Sequence, residues 1–132
     1  MIDLHCHILP GMDDGAKTIE DSLAMAEDAI ADGITHVVGT PHASGDYAFS
    51  FKAVCARVEE LNAKLAGRLS LASGCDFHMN HENLLALRKD PRPFCINQKE
   101  YLLVEFNDFS IPPALDQTLQ RALARKKSVS VS

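Results

Sequence analysis

Short apolar segments alternate with amphipathic segments along most of this chain. The apolar segments have the length and composition of buried β-strands and cover residues 2–5, 34–40, 69–76 and 101–106. In the segments between them, apolar residues recur every three or four positions, as they do on one face of a helix. Because strands that alternate with helices pair in parallel through helical crossovers, the alternation predicts an α/β fold with a parallel sheet.

The ends of the predicted helices carry recognisable signals. Thr18 followed by Asp21 is a variant of the capping box, and Gly33 is a typical stop, so the first helix is expected to run to about residue 32. The second helix has an apolar stripe from Phe51 to Leu65. The remaining expected elements are a short helix from residue 80, a small strand at 94–96, and a last helix with Leu115, Leu119 and Ala122 on one face.

Composition narrows the class of protein. With 132 residues, 46% hydrophobic and 23% charged, the chain fits one soluble domain with a real core. The net charge of -5 argues against non-specific nucleic-acid binding, and no stretch approaches the roughly 20 apolar residues of a membrane span. The N-terminus has no signal-type segment, and the four cysteines have no paired spacing. We therefore expect a cytoplasmic protein with reduced thiols, no nucleic-acid partner and no membrane span.

Residues that commonly bind metal ions follow each of the four predicted strands. His5 and His7 are two positions apart, which places them on one side of an extended strand. The others are Asp13 and Asp14 in the next loop, His42 after the second strand, Asp76 and His78 at the end of the third, and Glu105 at the end of the fourth. Sites in parallel α/β folds form at the carboxyl ends of strands, so the pattern predicts a shared metal site.

Some of these residues have a second interpretation. His5 and His7 are also compatible with two solvated histidines at a strand end, and Asp13 is compatible with ordinary loop polarity. His78 fits a site contact and a solvated loop equally well. His36 lies inside the second predicted strand, where a structural role is favoured.

The ligand types indicate catalytic chemistry. Imidazoles combined with several carboxylates, without a thiolate cluster, suit Mn, Fe or Zn in a catalytic site with more than one ion. Such ions activate water and neutralise phosphate charge, as phosphoester hydrolysis requires. A cysteine-dependent phosphatase is disfavoured, because no arginine follows Cys55 or Cys75 at the spacing of a C-x5-R loop.

Four segments together carry a family resemblance. They are the run from His5 through Pro10 and Asp14 to Ala16, Gly39-Thr-Pro-His42, Gly74-Cys-Asp76, and Tyr101-Leu-Leu-Val-Glu105-Phe. In these segments, and over residues 1 to about 123, the chain resembles the PHP-superfamily phosphatases. The most similar group is the manganese-dependent tyrosine-protein phosphatases of bacterial capsule and exopolysaccharide loci.

This resemblance implies a fold, a cofactor and a reaction. The fold is a distorted TIM-like (β/α) barrel of PHP type, with a cluster of three metal ions, Mn²⁺ in this group, at the strand ends. His5 and His7 would bind one ion, and Glu105 would bridge two. The other implied ligands are Asp14, His42, and Asp76, which stands where the family commonly has glutamate. The implied reaction is hydrolysis of phosphotyrosine in a protein such as a bacterial tyrosine kinase, with no catalytic side chain beyond the metal ligands.

The family's barrel is about twice the length of this chain. Its second half supplies a His-Pro-Glu-Arg strand end and a late Asp-x-His pair, and neither has a counterpart after Leu123. We therefore expect residues 1–124 to form the first half of the barrel and 125–132 to be a disordered tail of a truncated chain. Such a half-barrel would leave strand 101–106 as an edge, favour homo-oligomers, and bind Mn²⁺ with little activity. The alternatives are another PHP phosphoesterase, similar to histidinol phosphatase, and an inactive metal-binding fragment.

Overall fold

The computed structural model describes residues 1–106, 117 and 130–131. The strands are β1 (Ile2–Cys6), β2 (His36–Gly39), β3 (His42–Ala43), β4 (Ser70–Ser73), β5 (Asp76–His78), β6 (Leu103–Glu105) and β7 (Ser130–Val131). The helices are α1 (Ile19–Ala31), α2 (Phe51–Leu65) and α3 (His81–Lys89). Two 3₁₀ turns follow α3, at Arg92–Phe94 and Ile96–Gln98.

All strand pairs are parallel, which confirms the predicted α/β class. One sheet has the order β1-β2-β4, and the other has the order β3-β5-β6-β7. Helices α1 and α2 pack on the first sheet around a core that includes Val37, Val54 and Leu61. A second core lies against the other sheet and includes Phe77 and Leu87. Among the described residues, no helix is long and apolar enough to cross a membrane.

The third predicted strand is divided into β4 and β5, and the second is followed by a further short strand, β3, which the sequence analysis did not predict. Pro41 follows β2 and has no amide hydrogen to donate, so the ladder is interrupted there. Gly74 follows β4, and a side chain at that position would lie 2.6 Å from Cγ1 of Val38. The amide of Gly74 still donates to the carbonyl of Gly39, and the amide of Asp76 donates to the carbonyl of Pro41. The segment around Pro41 and the segment around Gly74 therefore run side by side from the first sheet into the second.

The helix boundaries agree with their sequence signals. The Thr18 hydroxyl accepts from the amide of Asp21, whose carboxylate accepts in return from the amide of Thr18. Gly33 has a φ of +78°, in the left-handed region that favours glycine as a helix stop. Helix α2 starts at Ser50, which caps the amide of Ala53, and helix α3 follows Asn80. The capping box at Thr18 thus located the start of α1, and the apolar stripe from Phe51 located α2.

Two expectations for the later part of the chain are wrong. Residues 94–96 do not form a strand, because 3₁₀ turns occupy this region and Asn97 and Gln98 have positive φ. Strand β6 is not an edge strand, since Leu103 and Val104 pair with Ser130 and Val131 of β7. Apart from Gln117, which is helical, the predicted last helix lies outside the described residues, as do 125–129 and 132 of the predicted tail. The domain boundary at residue 124 stays a prediction.

Candidate metal centre

The strand ends bring histidines and carboxylates into one cluster. Three overlapping groups have ligand atoms within 4.8 Å of one another, and each group shares a residue with the next. The groups are His5, His7 and Asp76; His7, Asp13, Asp14 and His42; and His42, Asp76, His78 and Glu105. All six residues predicted as ligands are therefore together, and Asp13 and His78 join them. Their role as ligands stays a prediction.

Parallel register explains why residues so far apart in sequence meet. His42 in β3 pairs with Asp76 in β5, and His78 pairs with Glu105 in β6. Paired positions in adjacent strands point to the same face of a sheet. As a result, Nε2 of His78 lies 2.8 Å from Oε2 of Glu105, and Nδ1 of His42 lies 2.7 Å from Oδ2 of Asp76.

Asp13 fixes the orientation of His7. Its Oδ2 atom lies 2.6 Å from Nδ1 of His7 and accepts from the amide of His42, while Oδ1 accepts from the amide of Gly15. Burial opposes ionisation of Asp13, but these hydrogen bonds outweigh it and hold the pKa of the carboxyl at about 2. With Nδ1 engaged, the Nε2 atom of His7 is directed to His5, 3.2 Å away. Metal-binding histidines commonly use their second nitrogen in this way.

Asp76 is the least satisfied polar group of the cluster. Its side chain is fully buried, and although Oδ2 lies 2.7 Å from Nδ1 of His42, neither oxygen forms a hydrogen bond of good geometry among the described residues. Burial, together with the neighbouring carboxylate of Glu105, raises the pKa of Asp76 to about 8. Buried polar groups nearly always form good hydrogen bonds, so a buried carboxylate without one, close to three imidazoles, suits a site that binds a cation.

The spacing of the nitrogen atoms fits divalent cations. Two ligand atoms bound about 2.1 Å from one ion, at angles between octahedral and tetrahedral, lie about 3.0–3.4 Å apart. Nε2 of His5 and Nε2 of His7 are 3.2 Å apart, and Nε2 of His78 and Nδ1 of His42 are 3.1 Å apart. Burial and the nearby His7 lower the pKa of His5, which favours the neutral ring that a metal requires. The residues present therefore suit metal ions.

Changing Asp13 to asparagine should weaken metal binding by about 10–100-fold, the usual cost of losing a residue that orients a ligand. An amide cannot accept from His7, His42 and Gly15 at once, because one of its two polar atoms is a donor. Calorimetric titration with Mn²⁺ measures the effect. Asp28→Asn, which changes an exposed carboxylate on α1, is the matched control. Equal Mn²⁺ affinity in the Asp13 variant and its control would show that Asp13 has no orienting role.

The sequence held weak signals for Asp13 and His78, the two candidates that are not among the six predicted ligands. Asp76 and His78 have the same two-residue spacing as His5 and His7, and this parallel could have resolved the two interpretations of His78. Asp13 lies two residues before Gly15, whose amide it binds in an Asx turn. That local pattern indicates a turn, but the contact with His7 depends on how the loop folds back.

An open cavity of about 490 Å³ lies beside the cluster. One part of its lining comes from cluster residues Asp14, His42, His78 and Glu105. The loop after β3 and the residues that follow β5 and β6 complete the lining. The cluster is therefore accessible to a small molecule or to a side chain of another protein.

Comparison with known proteins identifies the lineage. The profile of a family described as capsular polysaccharide synthesis, CpsB/CapC, matches residues 1–126. The chain belongs to the CpsB/CapC family. It is 36% identical over 121 residues to the tyrosine-protein phosphatase YwqE of Bacillus subtilis, covering 89% of this chain and 47% of YwqE. It is 30% identical to the tyrosine-protein phosphatase CpsB of Streptococcus pneumoniae, covering 81% of this chain and 45% of CpsB.

Solved structures support the family assignment. The fold matches a chain from the crystal structures of YwqE and CpsB, described as metal-dependent tyrosine phosphatases, with a TM-score of 0.83 and 30% identity. This match covers 99% of the present chain and 54% of the solved one. Histidinol phosphate phosphatase from Lactococcus lactis matches with a TM-score of 0.56 at 17% identity. The match covers 81% of the present chain and 41% of the solved one, and it shows a related fold only. The chain thus spans about half the length of its relatives.

Proposed function

We propose that this chain is the N-terminal part of a metal-dependent phosphatase that hydrolyses phosphotyrosine in proteins. The observation that carries the proposal is the buried carboxylate of Asp76, which lies close to the imidazoles of His5, His42 and His78. Membership of the CpsB/CapC family and similarity to proteins named tyrosine-protein phosphatases support it. Control of capsule or exopolysaccharide synthesis is the biological role that we assign to the activity.

The cluster would hold more than one divalent ion, and Mn²⁺ is the ion that we propose. His5, His7 and Asp76 would hold one, with Asp14, His42, His78 and Glu105 completing the others. When bound, the ions supply an activated water and neutralise charge on the phosphate. Asp13 keeps His7 in the correct tautomer, and the protein positions its ligands before any ion arrives.

Thiol chemistry is not the basis of the proposed activity. Burial raises the pKa of Cys6 to about 11 and that of Cys75 well above its ordinary value. Burial, together with Glu59, also raises the pKa of Cys55. A nucleophilic cysteine needs a lowered pKa, so these residues are poor candidates for a phosphocysteine route. The histidine and carboxylate cluster is the better basis for hydrolysis.

The cavity needs a further positive group to hold phosphate. Among the described residues that line it, none is lysine or arginine. We propose that this sequence forms the first half of a PHP-type barrel, and that the remainder of the family domain or a second copy of the chain completes the site. The substrate that we propose is a phosphotyrosine protein in the cytoplasm, such as a bacterial tyrosine kinase.

Mn²⁺ titration combined with p-nitrophenyl phosphate turnover tests the function. We expect the chain to bind Mn²⁺ and to show weak, Mn²⁺-dependent turnover. In the His5→Ala/His7→Ala variant, Mn²⁺ affinity and turnover should each fall at least about 100-fold, because the variant lacks both nitrogen ligands of one proposed ion site. His36→Ala is the control, since His36 is exposed in β2 and bonds with Thr35 instead of the cluster.

Two results would count against the proposal. Undiminished Mn²⁺ binding by the double variant would show that His5 and His7 are not ligands. Faster hydrolysis of histidinol phosphate than of a phosphotyrosine peptide would favour the small-molecule phosphoesterase instead.

A further inference from the structure

Unlike side chains line the cavity beside the cluster. Some are the imidazoles and carboxylates of the proposed metal centre. Besides small polar residues, the lining also includes three large side chains, Tyr47, Met79 and Phe106, which we define as the apolar wall. A site that only had to bind inorganic phosphate or a small polar ester would gain nothing from such a wall. The apolar wall is therefore relevant to which class of phosphate ester the site binds.

Tyr47 is held firmly in place. Its ring stacks on the ring of His42, with the centroids 5.7 Å apart and the planes inclined by 19°. Its amide donates to the hydroxyl of Ser44, and its carbonyl accepts from the amide of Ser44. The amide of Asp46 donates to the same hydroxyl, so the loop forms a compact turn. A ring fixed before binding gives up little conformational entropy when a ligand stacks on it.

The other two members of the wall are also anchored. Met79 follows β5 directly and Phe106 follows β6 directly, each one residue after a cluster residue. Both pack against the core of the second sheet, which includes Phe77 and Val104. The strand ends that carry His78 and Glu105 therefore also carry these two members of the apolar wall.

We propose that Tyr47 is a specificity-determining residue that contacts the aromatic ring of an aryl phosphate monoester whose phosphate lies on the cluster. This inference rests on the proposed phosphatase function. Aromatic rings prefer stacked or edge-on contacts with one another, and Tyr47 borders the cavity while its ring lies against His42. Alkyl phosphates such as phosphoserine would leave the wall uncovered. The cavity of about 490 Å³ is large enough for a phenyl ring and its phosphate.

Binding of two non-hydrolysable phosphonates tests the proposal without relying on turnover. In the presence of Mn²⁺, calorimetry should show benzylphosphonate binding roughly 3–10-fold more tightly than methylphosphonate, the range expected of one aromatic contact. Tyr47→Ala should abolish this preference, whereas Tyr47→Phe should keep it because the ring remains. Tyr101→Ala is the matched control, since Tyr101 is exposed and does not line the cavity. Thermal unfolding of each variant verifies that it folds.

The outcomes separate the two claims. If methylphosphonate binds but benzylphosphonate binds no more tightly, or if the preference survives in Tyr47→Ala, the role of Tyr47 is refuted while the phosphate site stands. If neither phosphonate binds in the presence of Mn²⁺, phosphate binding by this chain and the role of Tyr47 are refuted together. A preference lost equally in Tyr47→Ala and Tyr101→Ala would also refute a specific role for Tyr47.

Discussion

Replacing Asp76 with asparagine is expected to stabilise the metal-free chain and to abolish its response to divalent cations. The carboxyl is fully buried beside the carboxylate of Glu105, and this environment disfavours the ionised form that the unfolded chain prefers, which costs stability. Replacing the carboxyl with a neutral amide should raise the free energy of unfolding by about 1–3 kcal/mol in the presence of EDTA. The same change removes a ligand atom from two of the three groups in the cluster, so Mn²⁺ should no longer raise the melting temperature.

The stabilisation by Asp76→Asn should depend on pH. The pKa of Asp76 is raised from 3.8 to about 8 by burial and by Glu105, so the folded metal-free chain retains a proton that the unfolded chain releases. This group therefore makes the wild-type chain less stable as pH rises from about 4 to about 8. Asparagine does not titrate, and the advantage of the variant should grow across that range. Melting temperatures in EDTA measure the difference in stability between Asp76→Asn and the wild type, and Asp28→Asn is the control. A difference that does not change with pH would contradict the explanation.

Replacing Gly15 with alanine should disrupt both folding and metal binding. A side chain at position 15 would lie 2.1 Å from the carbonyl oxygen of His7 and 2.4 Å from its Cβ atom. The loop is drawn this close because the amide of Ala16 donates to that carbonyl and the amide of Gly15 donates to Asp13. Since backbone atoms cannot move aside cheaply, we expect a loss of about 3 kcal/mol in unfolding free energy. Displacement of His7 should also weaken Mn²⁺ binding by about 10–100-fold.

Gly45→Ala is the matched control for this clash. It introduces the same methyl group at a position with nothing within 4 Å, in the loop beside the cavity. Urea unfolding should show no loss of stability in this variant, and its Mn²⁺ affinity should equal that of the wild type. Equal stability of the two alanine variants would mean that the loop from residue 11 to 16 is free to move away from His7.

The placement of the candidate site followed from local sequence. Apolar periodicity identified the strands, and each strand end presented a histidine or a carboxylate. Parallel strands connected by helices carry their carboxyl ends to one edge, so His5, His42 and Glu105 could be placed together without coordinates. Capping residues such as Thr18 likewise located helix boundaries, because capping bonds form between residues only three positions apart.

Other features depended on contacts between distant residues. The break before Asp76 arises because Gly74 must pass close to Val38, and the sequence around residue 74 gives no sign of that neighbour. The orienting role of Asp13 depends on a loop that folds back onto His7. The pairing of β6 with Ser130 and Val131 joins segments separated by a stretch of chain with no strand pattern. Register and loop packing are tertiary properties that local periodicity does not encode.

The order of the ligand residues along the chain has a kinetic consequence. The cluster extends from His5, in the first strand, to Glu105, in β6, so it is complete only after the intervening strands have paired. Contacts between residues this far apart in sequence form late in folding. A cation that recognises only the finished cluster should therefore slow unfolding and leave the folding rate nearly unchanged. In this respect the cation would act as a reversible cross-link between β1 in the first sheet and β6 in the second, and chelation alone would shorten the lifetime of the folded state.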